Sequence, residues 1–86
     1  MAVALDNSKM SRKRFGQHFL IDPLVADEII RLVRPKPGDQ ILEIGPGTGA
    51  LTAQLVDSGA SIVAVEIDRD LCSLLKTHFS DATNIT

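Results

Sequence analysis

Cysteine is scarce in this sequence, with Cys72 as the only one among 86 residues. A single cysteine excludes an internal disulfide and the four-thiolate zinc sites that stabilise many small secreted domains. The two histidines, His18 and His78, are isolated from it in the sequence, so we expect no metal site. Without disulfides, a reducing, cytoplasmic location suits the chain best.

Long apolar runs are also missing. No stretch approaches the roughly 18 apolar residues that a membrane-spanning helix requires, and residues 1–16 lack the apolar region of a secretory signal peptide. We therefore expect a protein that is neither exported nor embedded in a membrane. The hydrophobic share of 44% and the charged share of 23% are typical of a globular protein, and 86 residues allow at most one domain.

Charge is unevenly distributed, although the formal net charge is only −2. The residues before position 21 include Lys9, Arg12, Lys13 and Arg14 against Asp6 alone, so the remainder of the chain is acidic. A basic arm ahead of an acidic body predicts local attraction to phosphate rather than general affinity for nucleic acid. The alternative is a solvated terminus without a ligand.

A helix is predicted from Pro23 to about Arg34. Asp22 before a proline is typical of a helix start, because the carboxylate can accept an unpaired amide and proline needs no amide partner of its own. The apolar side chains expected on the buried face of this helix are Val25, Ile29, Leu32 and Val33.

Two short β-branched runs, Gln40–Ile44 and Ser61–Glu66, have the composition of buried parallel strands. The segment between them has helical apolar spacing, and Gly59 stands where a left-handed helix cap is common. Asp68 can cap a third helix, and Ile85-Thr86 resembles the start of another strand.

This order predicts a Rossmann-like α/β fold of which only the first two parallel strands and their flanking helices are present. We expect residues 1–10 to be a flexible tail and residues 11–86 to be the N-terminal part of the domain. Two parallel strands alone would leave long edges unpaired, so we expect the domain to be incomplete.

The strongest motif lies where the first predicted strand turns into a helix and contains Gly45, Gly47 and Gly49. Glycine permits a tight turn and lets backbone amides approach a ligand, while the helix start presents unpaired donors. Glu66 closes the second strand, at the sequence separation from which a carboxylate reaches the ribose hydroxyls of an adenosine held over the loop. The two features together predict an adenosine-containing ligand.

Glu43 bears on which adenosine ligand binds. Gly45, Gly47 and Ala50 also fit the dinucleotide pattern, which leaves an NAD-dependent oxidoreductase open. A carboxylate just before the loop disfavours a pyrophosphate but suits S-adenosyl-L-methionine, which carries an ammonium and a sulfonium. No Gly-Lys-Ser/Thr follows the loop, which excludes a P-loop. We therefore predict S-adenosylmethionine, with Glu43 among its binding residues.

Three segments, in this order, resemble the KsgA-type ribosomal RNA small-subunit adenine N6,N6-dimethyltransferases. They are Arg14–Leu20 (RFGQHFL), Glu43–Thr52 (EIGPGTGALT) and Val65–Asp68 (VEID). The resemblance implies a class I S-adenosylmethionine-dependent methyltransferase fold and dimethylation of adenine N6 in small-subunit (16S) ribosomal RNA. It also implies a protein that is monomeric at full length and needs neither membrane nor metal.

The resemblance also implies roles for particular residues. His18 and Leu20 would contact the cofactor from the N-terminal segment, Gly45 and Gly47 would lie beside its methionine part, and Glu66 would hold the ribose hydroxyls. The residues that would meet RNA phosphate are Arg12, Lys13 and Arg14.

The family's Asn-x-Pro-Tyr catalytic loop does not occur in this sequence. Enzymes that modify a base must extrude it and grip it, so we assign no catalytic residue here and expect the 86-residue chain alone to be inactive. Two further alternatives stay open: a large-subunit ribosomal RNA adenine N6-methyltransferase of the antibiotic-resistance type, and a non-catalytic ribosome-assembly factor.

Overall fold

The computed structural model describes residues 2–6 and 22–86. Strands and helices alternate along these ranges. Their bounds are β1 Ala2–Asp6, α1 Pro23–Val33, β2 Gln40–Ile44, α2 Ala50–Asp57, β3 Ser61–Val65 and α3 Arg69–His78.

The strands form one parallel sheet in the order β1-β2-β3. On the free side of β3, Ile85 pairs in parallel with Ile62. The Thr86 amide donates to the Ile62 carbonyl at 2.9 Å, and the Ala64 amide donates to the Thr86 carbonyl at 3.0 Å. Ile85-Thr86 thus starts a further strand position, as predicted. Helical crossovers between neighbouring parallel strands confirm the Rossmann-like α/β class.

β1 departs from the sequence analysis, which expected a flexible tail over residues 1–10 and only two strands. Ala2–Asp6 pairs in parallel with Gln40–Ile44, and Val3 and Leu5 pack against the core. Two core-facing side chains are too few to show a period in the sequence. The pairing that stabilises the strand comes from a segment far along the chain. Residue 1 and residues 7–10 of the expected tail lie outside the described ranges.

α1 begins as predicted. The Asp22 Oδ1 atom accepts a hydrogen bond from the Leu24 amide at 2.8 Å, and Pro23 occupies the first helical position. The helix ends at Val33, and Arg34 takes a left-handed conformation with φ of 51° as its C-cap.

The buried face of α1 is rotated from the predicted one. Ala26 is buried, and Ile29 and Val33 pack against the core. Leu32 and Val25, however, are 74% and 40% exposed. The small side chain of Ala26 lets α1 approach α2 closely. Close packing of the two helices, rather than the largest apolar side chains, therefore decides which face of α1 turns inward.

The core lies on one face of the sheet. Ile41 and Ile62 point to that face and form a cluster with Ala26 of α1 and with Leu51 and Leu55 of α2. Side chains alternate along a strand, so the neighbouring residues point to the opposite face. That face, here called the open face, consists of Leu42, Ile44, Val63 and Val65, which are 37–49% exposed. No helix within residues 22–86 covers it.

The loops at the amino ends of β2 and β3 are joined to each other. A Cβ atom at Gly59 would lie 3.0 Å from Cγ of Pro37, so the two turns touch. The Ser61 amide donates to the Asp39 carbonyl at 2.8 Å, and the Asn84 side-chain amide donates to two carbonyls in and after α2, at 2.8 and 2.9 Å. We call these five residues the amino-end seam. It leaves the carboxyl ends of the strands as the accessible edge.

Candidate functional site

The glycine loop lies at the carboxyl end of β2, where ligands bind in open α/β sheets. Gly45, Gly47 and Gly49 all have positive φ values, of 66°, 62° and 92°. The Gly45 amide donates to the Val65 carbonyl at 2.8 Å, which ties the loop to the end of β3. Gly49 is the N-cap of α2 and supplies no side-chain cap, so the amides of the first turn depend on other acceptors.

Glu66 faces this loop. Its Oε1 atom accepts a hydrogen bond from the Gly47 amide at 3.1 Å, and its Oε2 atom accepts one from the Asp68 amide at 3.0 Å. The carboxylate is half-buried and is thereby fixed between the bend and the start of α3. A carboxylate accepts about four hydrogen bonds, so these two bonds do not use its full capacity. The geometry matches the arrangement predicted from the sequence spacing.

Glu43 lies beneath the loop rather than at its surface. Its side chain is 0% exposed, and Thr52 Oγ1 donates to its Oε1 atom at 2.6 Å. Thr52 is itself fully buried in the first turn of α2. The bond therefore fastens the end of β2 to the beginning of α2, across the glycine loop. Contact between Glu43 and a ligand stays a prediction.

A cavity of about 410 Å³ opens beside Glu66. Its walls are mostly apolar, and Ile67, the residue after Glu66, is 89% exposed. A flat apolar ring placed there would lie next to a carboxylate suited to sugar hydroxyls. The apolar residues that line the cavity are Pro46, Ala64, Leu75, Phe79, Ala82 and Ile85.

A comparison with known protein families identifies the family of the chain that carries this site. The family model described as Ribosomal RNA adenine dimethylase matches residues 8–86. The chain belongs to the ribosomal RNA adenine dimethylase family. The match includes the glycine loop, Glu66 and the cavity lining, and it begins after β1.

Several relatives of this dimethylase family are about half identical to the chain. Each is named Ribosomal RNA small subunit methyltransferase A. The protein from Pseudomonas syringae pv. tomato is 53% identical over 74 residues, which cover 86% of this chain and 28% of the relative. Those from Methylococcus capsulatus and Thermosynechococcus vestitus are 55% identical over 69 residues, which cover 80% of this chain and 27% and 26% of the relatives. The chain thus spans about a quarter of the length of these proteins.

The structure brings together only part of the site predicted for a member of the dimethylase family. Gly45, Gly47 and Glu66 meet at the carboxyl edge of the sheet, and Glu43 supports them from below. The other predicted residues, His18, Leu20, Arg12, Lys13 and Arg14, lie outside the described ranges.

Sequence reasoning missed two features of the site. In the sequence Thr52 is only the last residue of the glycine motif, and nothing in the pattern indicates that its hydroxyl is buried beside the Glu43 carboxyl group. The cavity was missed because Phe79 and Ile85, which form part of its wall, approach it from different elements. No local spacing could indicate that they meet.

Gly49→Ala is expected to destabilise the chain more than Gly38→Ala. Both glycines have φ near +90°, so alanine is disfavoured at either position. A methyl group at Gly49 would also lie 3.0 Å from Leu75 Cδ2 and 3.2 Å from Phe79 Cε2, whereas nothing lies within 4 Å at Gly38. We expect Gly49→Ala to lower the free energy of unfolding by about 2–4 kcal/mol, measured by urea denaturation. Equal losses for the two variants would show that α3 does not press against the loop.

Within residues 2–6 and 22–86, no helix has both the length and the apolarity that crossing a membrane requires. No group of three or more histidine, cysteine, aspartate or glutamate side chains is arranged to hold a metal ion in the same ranges.

Proposed function

We propose that this chain supplies part of the S-adenosylmethionine site of an enzyme that dimethylates adenine N6 in small-subunit ribosomal RNA. The observation that supports this most directly is the position of the Glu66 carboxylate, which accepts a hydrogen bond from Gly47 in the glycine loop. The description of the family names adenine dimethylation, and the names of the relatives specify the small subunit. These names favour this substrate over large-subunit RNA.

The residues present fit S-adenosylmethionine. Gly45 and Gly47 lack side chains where the ligand would approach the backbone, and Glu66 offers acceptor capacity for two ribose hydroxyls. The apolar cavity beside Glu66 suits an adenine ring, with Ile67 as a further apolar contact. His18 and Leu20 would complete the site from the N-terminal segment, and the negative charge of Glu43 below the loop would favour a cationic ligand.

The role of this chain in the reaction is to bind and orient. When bound, S-adenosylmethionine supplies a methyl group activated on a sulfonium, which an amine can attack directly. Glu66 and the loop would fix the sugar and thereby the position of the sulfonium, and positioning provides much of the rate enhancement in such transfers. We assign no proton transfer and no catalytic residue to this chain. The enzyme would act in the cytoplasm as a monomer.

Ligand titration followed by NMR tests the cofactor assignment, because it detects binding as weak as the millimolar range. We expect S-adenosylmethionine to shift the amide signals of Gly47 and Asp68, whose donors face Glu66. NADH serves as the competing ligand. Saturable shifts with NADH and none with S-adenosylmethionine would instead support an oxidoreductase.

A methyl-transfer assay with undermethylated small subunits should show no turnover by the 86-residue chain.

The basic arm is proposed to meet RNA phosphate. Reversing Arg12, Lys13 and Arg14 to glutamate should flatten the dependence of log K on log salt by about 2 for binding to small-subunit RNA, since each cation releases somewhat less than one counterion. The matched control reverses three exposed cations elsewhere in the chain and has the same net charge. An equal change of the slope in the control would mean that RNA binding depends on the net charge of the chain and not on the position of these three cations. The control positions are Arg31, Lys36 and Arg69.

A further inference from the structure

A buried hydrogen bond joins the two ends of the glycine loop. Glu43 is the fourth residue of β2 and Thr52 is the third residue of α2, so the bond from Thr52 Oγ1 to Glu43 Oε1 spans the whole bend. Another bond holds the loop from the side of β3, where the Gly45 amide donates to the Val65 carbonyl. The Glu43–Thr52 bond is different in kind, because it sets the distance between the strand and the helix that the loop connects.

The backbone of the loop has much conformational freedom to lose. Gly45, Gly47 and Gly49 all have positive φ, and glycine loses more freedom on ordering than any other residue. Gly49 also gives α2 an N-cap without a side-chain hydrogen bond, so a cap does not fix the start of the helix. Ordering the backbone of one residue changes an equilibrium constant by about 5- to 30-fold. A ligand that bound a disordered loop would have to supply that free energy.

The hydroxyl of Thr52 is bonded outside its own helix. Within a helix, threonine can donate to the carbonyl four residues earlier, and a hydroxyl has one hydrogen to donate. Here that hydrogen goes to Glu43 at 2.6 Å, and both side chains are 0% exposed. Valine would fill the same space without burying a polar group, so packing alone gives no reason for a hydroxyl at this position.

We propose that Thr52 is a positioning residue for the cofactor, and that it acts through Glu43 by holding the glycine loop in the conformation that binds S-adenosylmethionine. This role rests on the proposed function and adds to it a residue buried beneath the ligand-binding edge. With the bond in place, the Gly47 amide and Glu66 are already together when the ligand arrives. Without it, ordering the loop reduces the free energy of binding.

A series of substitutions at position 52 tests this role. Thr52→Ser keeps the hydroxyl, Thr52→Cys offers the weaker donor of a thiol, and Thr52→Val offers no donor. We expect the Kd for S-adenosylmethionine, measured by NMR titration of the 86-residue chain, to rise about tenfold in Thr52→Val and less than about threefold in Thr52→Ser. Thr52→Cys should lie between them. Sucrose in every sample keeps the variants folded, and Thr52→Cys decides the test if Thr52→Val does not fold.

Asn84→Ala is the matched control for lost stability. Asn84 belongs to the amino-end seam, and its side-chain amide donates to the Val56 and Ala60 carbonyls at 2.9 and 2.8 Å. The variant therefore destabilises the sheet at the end opposite to the loop and should leave the Kd within about twofold of the parent value. A loss of affinity as large as that of Thr52→Val would show that affinity merely follows stability, and would overturn the proposal.

Amide hydrogen exchange separates the role of Thr52 from the cofactor assignment, because it needs no ligand. The Gly45 and Gly47 amides both donate hydrogen bonds at the loop, and they should exchange about tenfold faster in Thr52→Val than in Asn84→Ala. Equal exchange rates in these two variants would overturn the positioning role. Faster loop exchange in Thr52→Val, together with no binding of S-adenosylmethionine by the parent chain, would refute the cofactor assignment and still support control of the loop by Thr52.

Discussion

Thr52→Val is expected to lower the free energy of unfolding by about 3 kcal/mol, because the substitution removes a hydrogen-bond donor to a fully buried carboxyl oxygen while keeping the shape of the side chain. Thr52 Oγ1 lies 2.6 Å from Glu43 Oε1, and both side chains are 0% exposed, so water cannot replace the lost hydroxyl. A loss of this size is a large fraction of the stability of a small domain. Urea denaturation followed by circular dichroism measures it.

Two controls separate the hydrogen bond from other effects of the substitution. Thr77→Val makes the same chemical change at an exposed position of α3 and should alter stability by less than about 0.5 kcal/mol. Thr52→Ser keeps a hydroxyl and should retain most of the stability that valine loses. If Thr52→Val is no less stable than Thr77→Val while Thr52→Ser is clearly destabilised, the methyl group rather than the hydroxyl is what the site requires.

Glu66→Gln is expected to weaken binding of S-adenosylmethionine by about 10- to 100-fold, the range for losing charged hydrogen bonds to a ligand. The amide that replaces the carboxylate has only one acceptor oxygen, yet the Gly47 and Asp68 amides both donate to this side chain. One of them would face an NH₂ group instead. The ribose hydroxyls would then lose both the negative charge and an acceptor. The affinity is measured by the NMR titration described above.

Asp57→Asn is the matched control for this variant. Asp57 is an exposed carboxylate at the end of α2, so it makes the same change of charge away from the loop. It should leave the affinity within about twofold of the parent value, as expected for a screened surface charge. Unchanged binding by Glu66→Gln would refute the assignment of Glu66 to the ribose, whatever the effect on stability.

The contact between the glycine loop and Glu66 was predictable because its determinants are local. The segment from Gly45 to Glu66 contains the helix and the second strand of one strand-helix-strand unit, whose geometry varies little, so the carboxylate could be placed against the loop. The helix starts were predictable for the same reason. Asp68 Oδ1 accepts from the Asp70 and Leu71 amides at 2.9 and 3.2 Å, as its position before the helix indicated.

What the sequence did not reveal depends on contacts between distant segments. β1 exists through its pairing with β2, and the five residues Ala2–Asp6 carry no turn or cap signal of their own. The inward face of α1 was predicted only in part, for a related reason: Ile29 and Val33 pack inward, but Leu32 does not. Leu32 has a larger apolar side chain than Ala26, yet the close approach of α1 to α2 selects the smaller residue.

Residues that stabilise the sheet and residues that face a ligand lie at opposite ends of the strands, because the amino-end seam is at one end and the glycine loop at the other. Pro37, Asp39, Gly59, Ser61 and Asn84 knit the sheet together at the end opposite to the glycine loop. Mutations in these residues should therefore change the thermal stability of the protein without changing its ligand binding. Stabilising substitutions could therefore be made at the amino-end seam independently of substitutions in the glycine loop that change ligand specificity.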